Sequence, residues 1–248
     1  MFVLFLVLSH RANRVVAGQS GEMRMPKLKP TTQAARREHI LDAAEKCFAQ
    51  AGFHGTTMQD ICKSAGVSAG AFYLYFRSKE DLIAGIVERD RTKLAGKLAE
   101  LASAPDLVAA LAKLGEHYSE EEPHYKRVLS VEIGAEATRN PAVERMFRSA
   151  DSDALDSLAA LFTRAVAEGK IAPTQDPRTV AEVLAVMGDG LFWRRAINPS
   201  WDAKAILPVL MDLVRTLLNP LSPSDFNLAR TAAATGEQTH RVGPEAAS

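Results

Sequence analysis

The chain has 248 residues, 47% of them hydrophobic and 24% charged, and its formal net charge is zero. That composition excludes disorder throughout and supplies enough apolar material for one large domain or two smaller ones. Neutrality excludes a basic field over the whole molecule while leaving room for a local patch; two cysteines, Cys47 and Cys62, without metal-ligand spacing, exclude a disulfide scaffold and fit a reducing compartment.

An apolar run from Phe2 to Leu8 opens the sequence. It is too short to span a bilayer as a helix, and basic residues follow it, whereas a secretory signal places them before. Residues 1–31 are therefore expected to form an extension, with Met23 or Met25 as the working start, that includes a flexible basic arm around Arg24, Lys27 and Lys29. From residue 24 to 79, nine Lys/Arg face four Asp/Glu, a local excess of +5.

Between Ala34 and Ala51, the residues Ile40, Ala44, Phe48 and Ala51 recur at three- and four-residue spacing, and Leu41 widens the stripe. The pattern predicts an amphipathic helix that ends near Gly52. A short second helix is expected from Thr57 to about Ala65, with Thr57 and Asp60 in a capping-box arrangement and Ile61 pointing inward. Gly66 stops it in a left-handed conformation that other residues adopt only at a cost. Ser68 caps a third helix, in which Phe72 and Phe76 share the inward face with Val67 and Ile61. Tyr73 lies about 100° round from Phe72 and projects outward. Ala69, Gly70 and Ala71 keep the first turn slim, and Gly70 gives up about 1 kcal/mol of helix propensity relative to alanine, which a close backbone approach to something outside would explain. Two short helices around a glycine turn, after a longer amphipathic helix, form a helix-turn-helix layout. The residues by themselves leave two readings open, docking on DNA and a small helical bundle.

Residues 36 to 82 resemble the N-terminal DNA-binding domain of the TetR family of bacterial transcriptional regulators. The resemblance is carried by Ile40 and Leu41, Phe48, Gly52, the segment GTTMQDICKSAGVSAGAFYLYF from 55 to 76, and SKEDL from 78 to 82. It implies a DNA-reading surface of Thr56, Thr57, Ser68, Ala69, Gly70, Ala71, Tyr73, Tyr75 and Lys79. Within that set, Thr57, Tyr73 and Lys79 match positions that contact phosphate, and Ser68 to Ala71 match positions near the base edges. Phosphate contacts position a protein without reading sequence, and alanine offers a base only an apolar contact. The basic arm adds contacts to DNA or is an ordinary solvated tail.

Beyond Leu82, the residues Ile83, Ile86 and Val87 continue a helix expected to reach about Ala102. Prolines 105, 123, 141, 173, 177 and 199 then punctuate segments expected as helices near 106–119, 123–138, 141–168, 177–196 and 201–218. The last two are apolar over broad surfaces and fill one core or pair with a twofold mate. The family resemblance implies the second, a four-helix contact in a homodimer. After Pro220 the composition turns to Ser, Thr, Gly and Pro, and the tail from 220 to 248 is expected to be disordered.

The expected fold class is thus all-α. An N-terminal three-helix DNA-binding domain with a helix-turn-helix (32–82) precedes a helical ligand-binding and dimerisation domain (83–219). The second contains no nucleophile elbow, HExxH or phosphate-cradling glycine loop, so the chain is read as a non-enzyme with no catalytic residue, no metal site and no cofactor. By resemblance, a small hydrophobic or aromatic ligand binds among its helices. Tyr118, Tyr125, Met146, Phe147, Phe162, Met187, Phe192 and Trp193 are the candidate lining, each with an alternative reading as core or dimer contact. The expected protein is a cytoplasmic repressor with no membrane partner, which binds palindromic double-stranded operator DNA as a homodimer and is released by its ligand. The alternative is a noncatalytic helical protein-interaction module.

Overall fold

Seven helices begin on a short polar side chain that accepts a hydrogen bond from an N–H in the following turn: Thr57, Ser68, Ser78, Asp106, Asn140, Asp176 and Asp202. Each satisfies donors that a helix start leaves unpaired, so the starts are written locally in the sequence. The computed structural model describes residues 30–221. In order the helices are α1 (Pro30–Gly55), α2 (Met58–Ser64), α3 (Ala69–Tyr73), α4 (Lys79–Ser103), α5 (Leu107–Glu116), α6 (His124–Ala137), α7 (Pro141–Ala167), α8 (Pro177–Ile197) and α9 (Ala203–Leu218). A π-helical turn, His117–Glu121, follows α5. Among the described residues the only β contact is one isolated antiparallel bridge, Ile171 with Pro220. The all-α expectation holds, and Pro141 and Pro177 stand in first turns. Of the expected N-terminal extension (1–31) and C-terminal tail (220–248), residues 1–29 and 222–248 lie outside the described residues; Pro30 and Thr31 instead belong to α1, and Pro220 and Leu221 are tied to Ile171 and Lys170, the Leu221 N–H reaching the Lys170 carbonyl at 3.1 Å.

Helix α1 departs from its expected end. Gly52 takes φ 71° and ψ 170°, a conformation open to glycine, and a further turn follows to Gly55. That turn brings Phe53 inward, 5.7 Å from the Phe48 ring. Ile40, Leu41, Ala44 and Phe48 are buried as the stripe predicts, while Ala51, at the kink, is exposed.

Two apolar clusters hold the helices. The first joins Ile40, Phe48, Ile61, Phe72, Phe76 and Ile86 to Leu129 and Ile133 of α6, Val143 of α7 and Phe192 of α8. The second gathers α4, α5, α7, α8 and α9 around residues such as Leu98, Tyr118, Phe162 and Val214. The first three helices therefore do not stand apart, because their core continues into α6.

Candidate nucleic-acid interface and interior cavity

Helix α2 is set by a reciprocal cap. The Thr57 hydroxyl accepts from the Asp60 N–H at 3.2 Å, and the Asp60 carboxylate accepts from the Thr57 N–H at 3.0 Å and from its hydroxyl at 2.5 Å. Those Thr57 donors hold the Asp60 carboxyl below the usual carboxylate range. Gly66 turns the chain with φ +59°, and Ser68 Oγ accepts from the Ala71 N–H at 3.3 Å to start α3. Phe72 and Phe76 then face the core, and Tyr73 on the same short helix is 51% exposed.

The result is one outward surface that carries Thr57, Ser68, Ala69, Gly70 and Tyr73, all exposed, with Ala71 half-buried beside them. A methyl group added at Gly70 meets no atom within 4 Å, so the fold does not require glycine there. Three further candidates sit differently. Thr56 is buried, its hydroxyl reaching the carbonyls of Cys47 at 3.0 Å and Gly52 at 2.7 Å, so its side chain secures the α1 turn and does not face outward. Tyr75 is half-buried against the first core cluster. Lys79 turns back, donating to the Phe53 carbonyl at 2.5 Å with its ammonium 4.5 Å from the Phe53 ring centre. The outward surface also includes Leu74, 84% exposed and absent from the sequence-based set. Its signal was its place off the Phe72/Phe76 stripe.

Behind this surface, α1 meets α4 and α6 through buried ions. Arg89 pairs with Asp42 at 2.8 Å, with Glu38 at 3.3 Å and with Glu45, and Lys126 Nζ lies 2.7 Å from Glu45 Oε2. Burial works against the Arg89 charge, but Glu45, Asp90, Asp42 and Glu38 outweigh it and hold the guanidinium charged. Beside them, burial and the Glu45 charge push the Asp90 carboxyl up to about 8, and burial raises Glu122 as well. A second tie joins His54 to Glu136 of α6 at 3.0 Å, and Glu136 also accepts from Arg139 and Asn140.

An apolar cavity of about 80 Å³ lies between α4, α5, α7, α8 and α9, where Leu101, Leu114, Leu158, Met187, Leu210 and Met211 contribute to the wall. Every lining residue is Leu, Met, Val or Gly. Of the sequence-based ligand candidates only Met187 lines it. Tyr118 and Phe162 are packed in the second core cluster; Phe192, with half-buried Met146 and Phe147, belongs to the first; Tyr125 is half-buried, and Trp193 is 48% exposed. The candidates are bulky side chains, only a few of them with polar ends, whereas the cavity is walled mostly by leucines that no periodicity separates from ordinary core. Among the described residues, no group of three His, Cys, Asp or Glu is placed to hold a metal, and no helix is long and apolar enough to cross a membrane.

Comparison with known proteins agrees with this architecture. Residues 40–86 match the family model described as "Bacterial regulatory proteins, tetR family", and residues 98–219 match "BetI-type transcriptional repressor, C-terminal". The chain is 33% identical over 137 residues to the HTH-type transcriptional regulator UidR of Escherichia coli (strain K12), an alignment that covers 55% of this chain and 69% of the relative. Among solved structures, Salmonella enterica GusR superposes with a TM-score of 0.65 at 32% identity, over 77% of this chain and 98% of that one. A complex of SmeT with triclosan superposes with a TM-score of 0.57 at 28% identity, over 86% and 99%.

Proposed function

The chain belongs to the TetR family of bacterial transcriptional regulators, and from that premise we propose that it is a cytoplasmic homodimeric repressor which reads a palindromic operator and releases it when a small hydrophobic molecule binds. The observation that carries this reading is the split across α3 and the turn that follows it, with Phe72 and Phe76 inside and Tyr73 outside beside the slim turn Ala69–Gly70–Ala71. In the proposed complex α3 enters the major groove, small side chains let its backbone approach the base edges, Tyr73 bonds to a flanking phosphate, and Thr57 does so by turning its hydroxyl from the Asp60 carboxylate. Lys79 joins them by leaving the Phe53 carbonyl for a phosphate. Leu74 adds an apolar contact at the end of α3.

Residues 32–82 act as the reading head and 83–219 as the ligand-binding and dimerising body. The second copy is assigned to the face of α8 and α9 that carries Val183, Val186, Ile197, Val209 and Leu213, all exposed. An apolar surface of that breadth on a water-soluble regulator calls for a partner, and twofold pairing places two heads on a symmetric site. SmeT, which has a similar fold, has been solved with triclosan, and the apolar cavity supports a hydrophobic ligand here. Equal affinity for the bound and released conformations would shift nothing, so the ligand must favour the released one.

Gel shifts with duplex DNA from immediately upstream of the protein's own gene test the reading. Affinity is expected to fall as salt rises, because phosphate contacts release counterions. Tyr73→Phe is expected to weaken all operator variants alike, by roughly three- to tenfold for one lost hydrogen bond. Salt-independent binding, or a Tyr73→Phe effect confined to one base change, contradicts the assignment.

A further inference from the structure

Arg89 and Asp90 are neighbours on α4, both buried, at the place where charges from α1, α4 and α6 meet. The Arg89 guanidinium gives both terminal nitrogens to α1: one to Asp42 at 2.8 Å and Glu38 at 3.3 Å, the other to Glu45. Its Nε is left over. It lies 3.8 Å from Asp90 Oδ1, too far for a hydrogen bond, and neither of these two buried atoms has a hydrogen-bond partner.

The Asp90 carboxyl is faced by Glu45 of α1, by Arg89 and Lys93 of α4, by Lys126 of α6 and by Tyr118 of the π-helical turn. Glu122 shares Tyr118 and Lys126 with it as neighbours. Lys126 Nζ is already held by Glu45 at 2.7 Å, and burial works against the Lys93 charge. Burial and the Glu45 charge therefore keep the proton on Asp90 up to about 8, against the pull of Lys126, Arg89 and Lys93.

Once that proton leaves, a buried carboxylate stands beside an unused N–H of a cation. A buried charge without a partner is costly, and a charge-assisted bond of about 2.7–2.9 Å requires the gap to close by roughly 1 Å. Arg89 is the group placed to close it. Doing so draws the guanidinium toward Asp90 and off Asp42, Glu38 and Glu45, all of which belong to α1. Helix α1 shares one core with the two helices that follow it, through Ile40, Phe48, Ile61 and Phe72. A shift of α1 against α4 thus carries α2 and α3 with it.

We propose that Asp90 is a proton-operated joint between the reading head and the body: protonated, it leaves Arg89 to α1; ionised, it draws Arg89 away, loosens the head and weakens the hold on the operator. The last step rests on the reading above that α3 docks on DNA, and two arms on the full chain keep the two apart. Without DNA, hydrogen exchange of the α1 amides from 38 to 45, corrected for intrinsic rates, and the infrared band of a protonated carboxylic acid are followed from pH 7 to pH 9. Wild type is expected to lose about tenfold in protection together with a carboxylic-acid band; Asp90→Asn is expected to lack that band at pH 7 and to change less than about twofold. Lys93→Gln removes a cation that favours the ionised carboxylate, so it is expected to move the transition to higher pH, and it decides the matter where Asp90→Asn does not fold. With duplex DNA from upstream of the protein's own gene, at fixed ionic strength, the dissociation constant is expected to rise about tenfold over the same range for wild type and less than about twofold for Asp90→Asn. Protection indifferent to pH, an equal change in Asp90→Asn, or a Lys93→Gln transition unmoved or lowered would overturn the joint. Duplex affinity indifferent to pH while protection falls overturns only the coupling to DNA; a chain that binds no duplex at either pH overturns the docking reading, and the exchange arm alone then decides the joint.

Discussion

Phe72 and Tyr73 are adjacent rings with opposite surroundings, 0% and 51% exposed. That difference was legible, because one residue of helix turns a side chain by about 100° away from the stripe that Phe72 shares with Phe76. The neighbouring threonines were not separable in this way. Thr57 caps α2, but Thr56 follows the kink at Gly52, and only the folded turn shows its hydroxyl directed at the Cys47 and Gly52 carbonyls. Lys79 likewise read as an outward cation, and its turn toward Phe53 depends on a ring 26 residues earlier in the chain. Gly70 offers the cleanest residue-level test, since open space surrounds it. Gly70→Ala is expected to raise the unfolding free energy by up to about 1 kcal/mol in urea titrations. Gly70→Gln is expected to fold and yet lose at least about tenfold in duplex affinity, a loss of about 1.4 kcal/mol of binding.

Helix α4 shows a pattern that the sequence contained and that went unread. Its stripe of Leu82, Ile83, Ile86 and Val87 continues, at the same spacing, onto Arg89 and Asp90, and both are buried. Charges on an apolar stripe signal a buried ion cluster, but the partners Glu45 and Lys126 lie far away in sequence and only the fold brings them together. Lys126→Met is expected to cost about 3–5 kcal/mol, because it leaves the buried Glu45 carboxylate short of a partner; a Glu45→Gln/Lys126→Met pair should recover part of that loss in urea unfolding. Asp90 adds a pH dependence. Its carboxyl titrates at about 8 in the folded chain, against about 4 when unfolded. Between those values the folded state keeps a proton that the unfolded state releases, so this contribution to stability is complete below about pH 4 and is lost as pH rises to about 8. Asp90→Asn removes it. The stability of Asp90→Asn relative to wild type is expected to increase from about pH 5 to about pH 8 and then level off, and a constant difference would contradict the assignment.

For the molecule as a whole, the all-α class and most helix boundaries could be read from caps and prolines, because those signals are local. Whether α8 and α9 fill a core or meet a mate was left open by composition, and each helix in fact has both kinds of face. On α8, Val180 and Leu191 point inward while Val183 and Val186 are exposed; on α9, Val214 and Leu218 are buried while Val209 and Leu213 are exposed. Leu213→Asp, on the outward face, is expected to leave the helical content by circular dichroism unchanged, to raise the dimer dissociation constant by at least about tenfold and to weaken operator binding in parallel. The most direct test of the account is selection from a random duplex pool by the full chain, with wild type and Gly70→Gln compared after both are verified as folded dimers. The account predicts that wild type enriches an inverted repeat whose half-sites are one helical turn or a multiple of it apart, about 34–36 Å per turn, and that the variant does not. Failure of wild type to enrich any sequence, or equal enrichment of the same repeat by the variant, would contradict it.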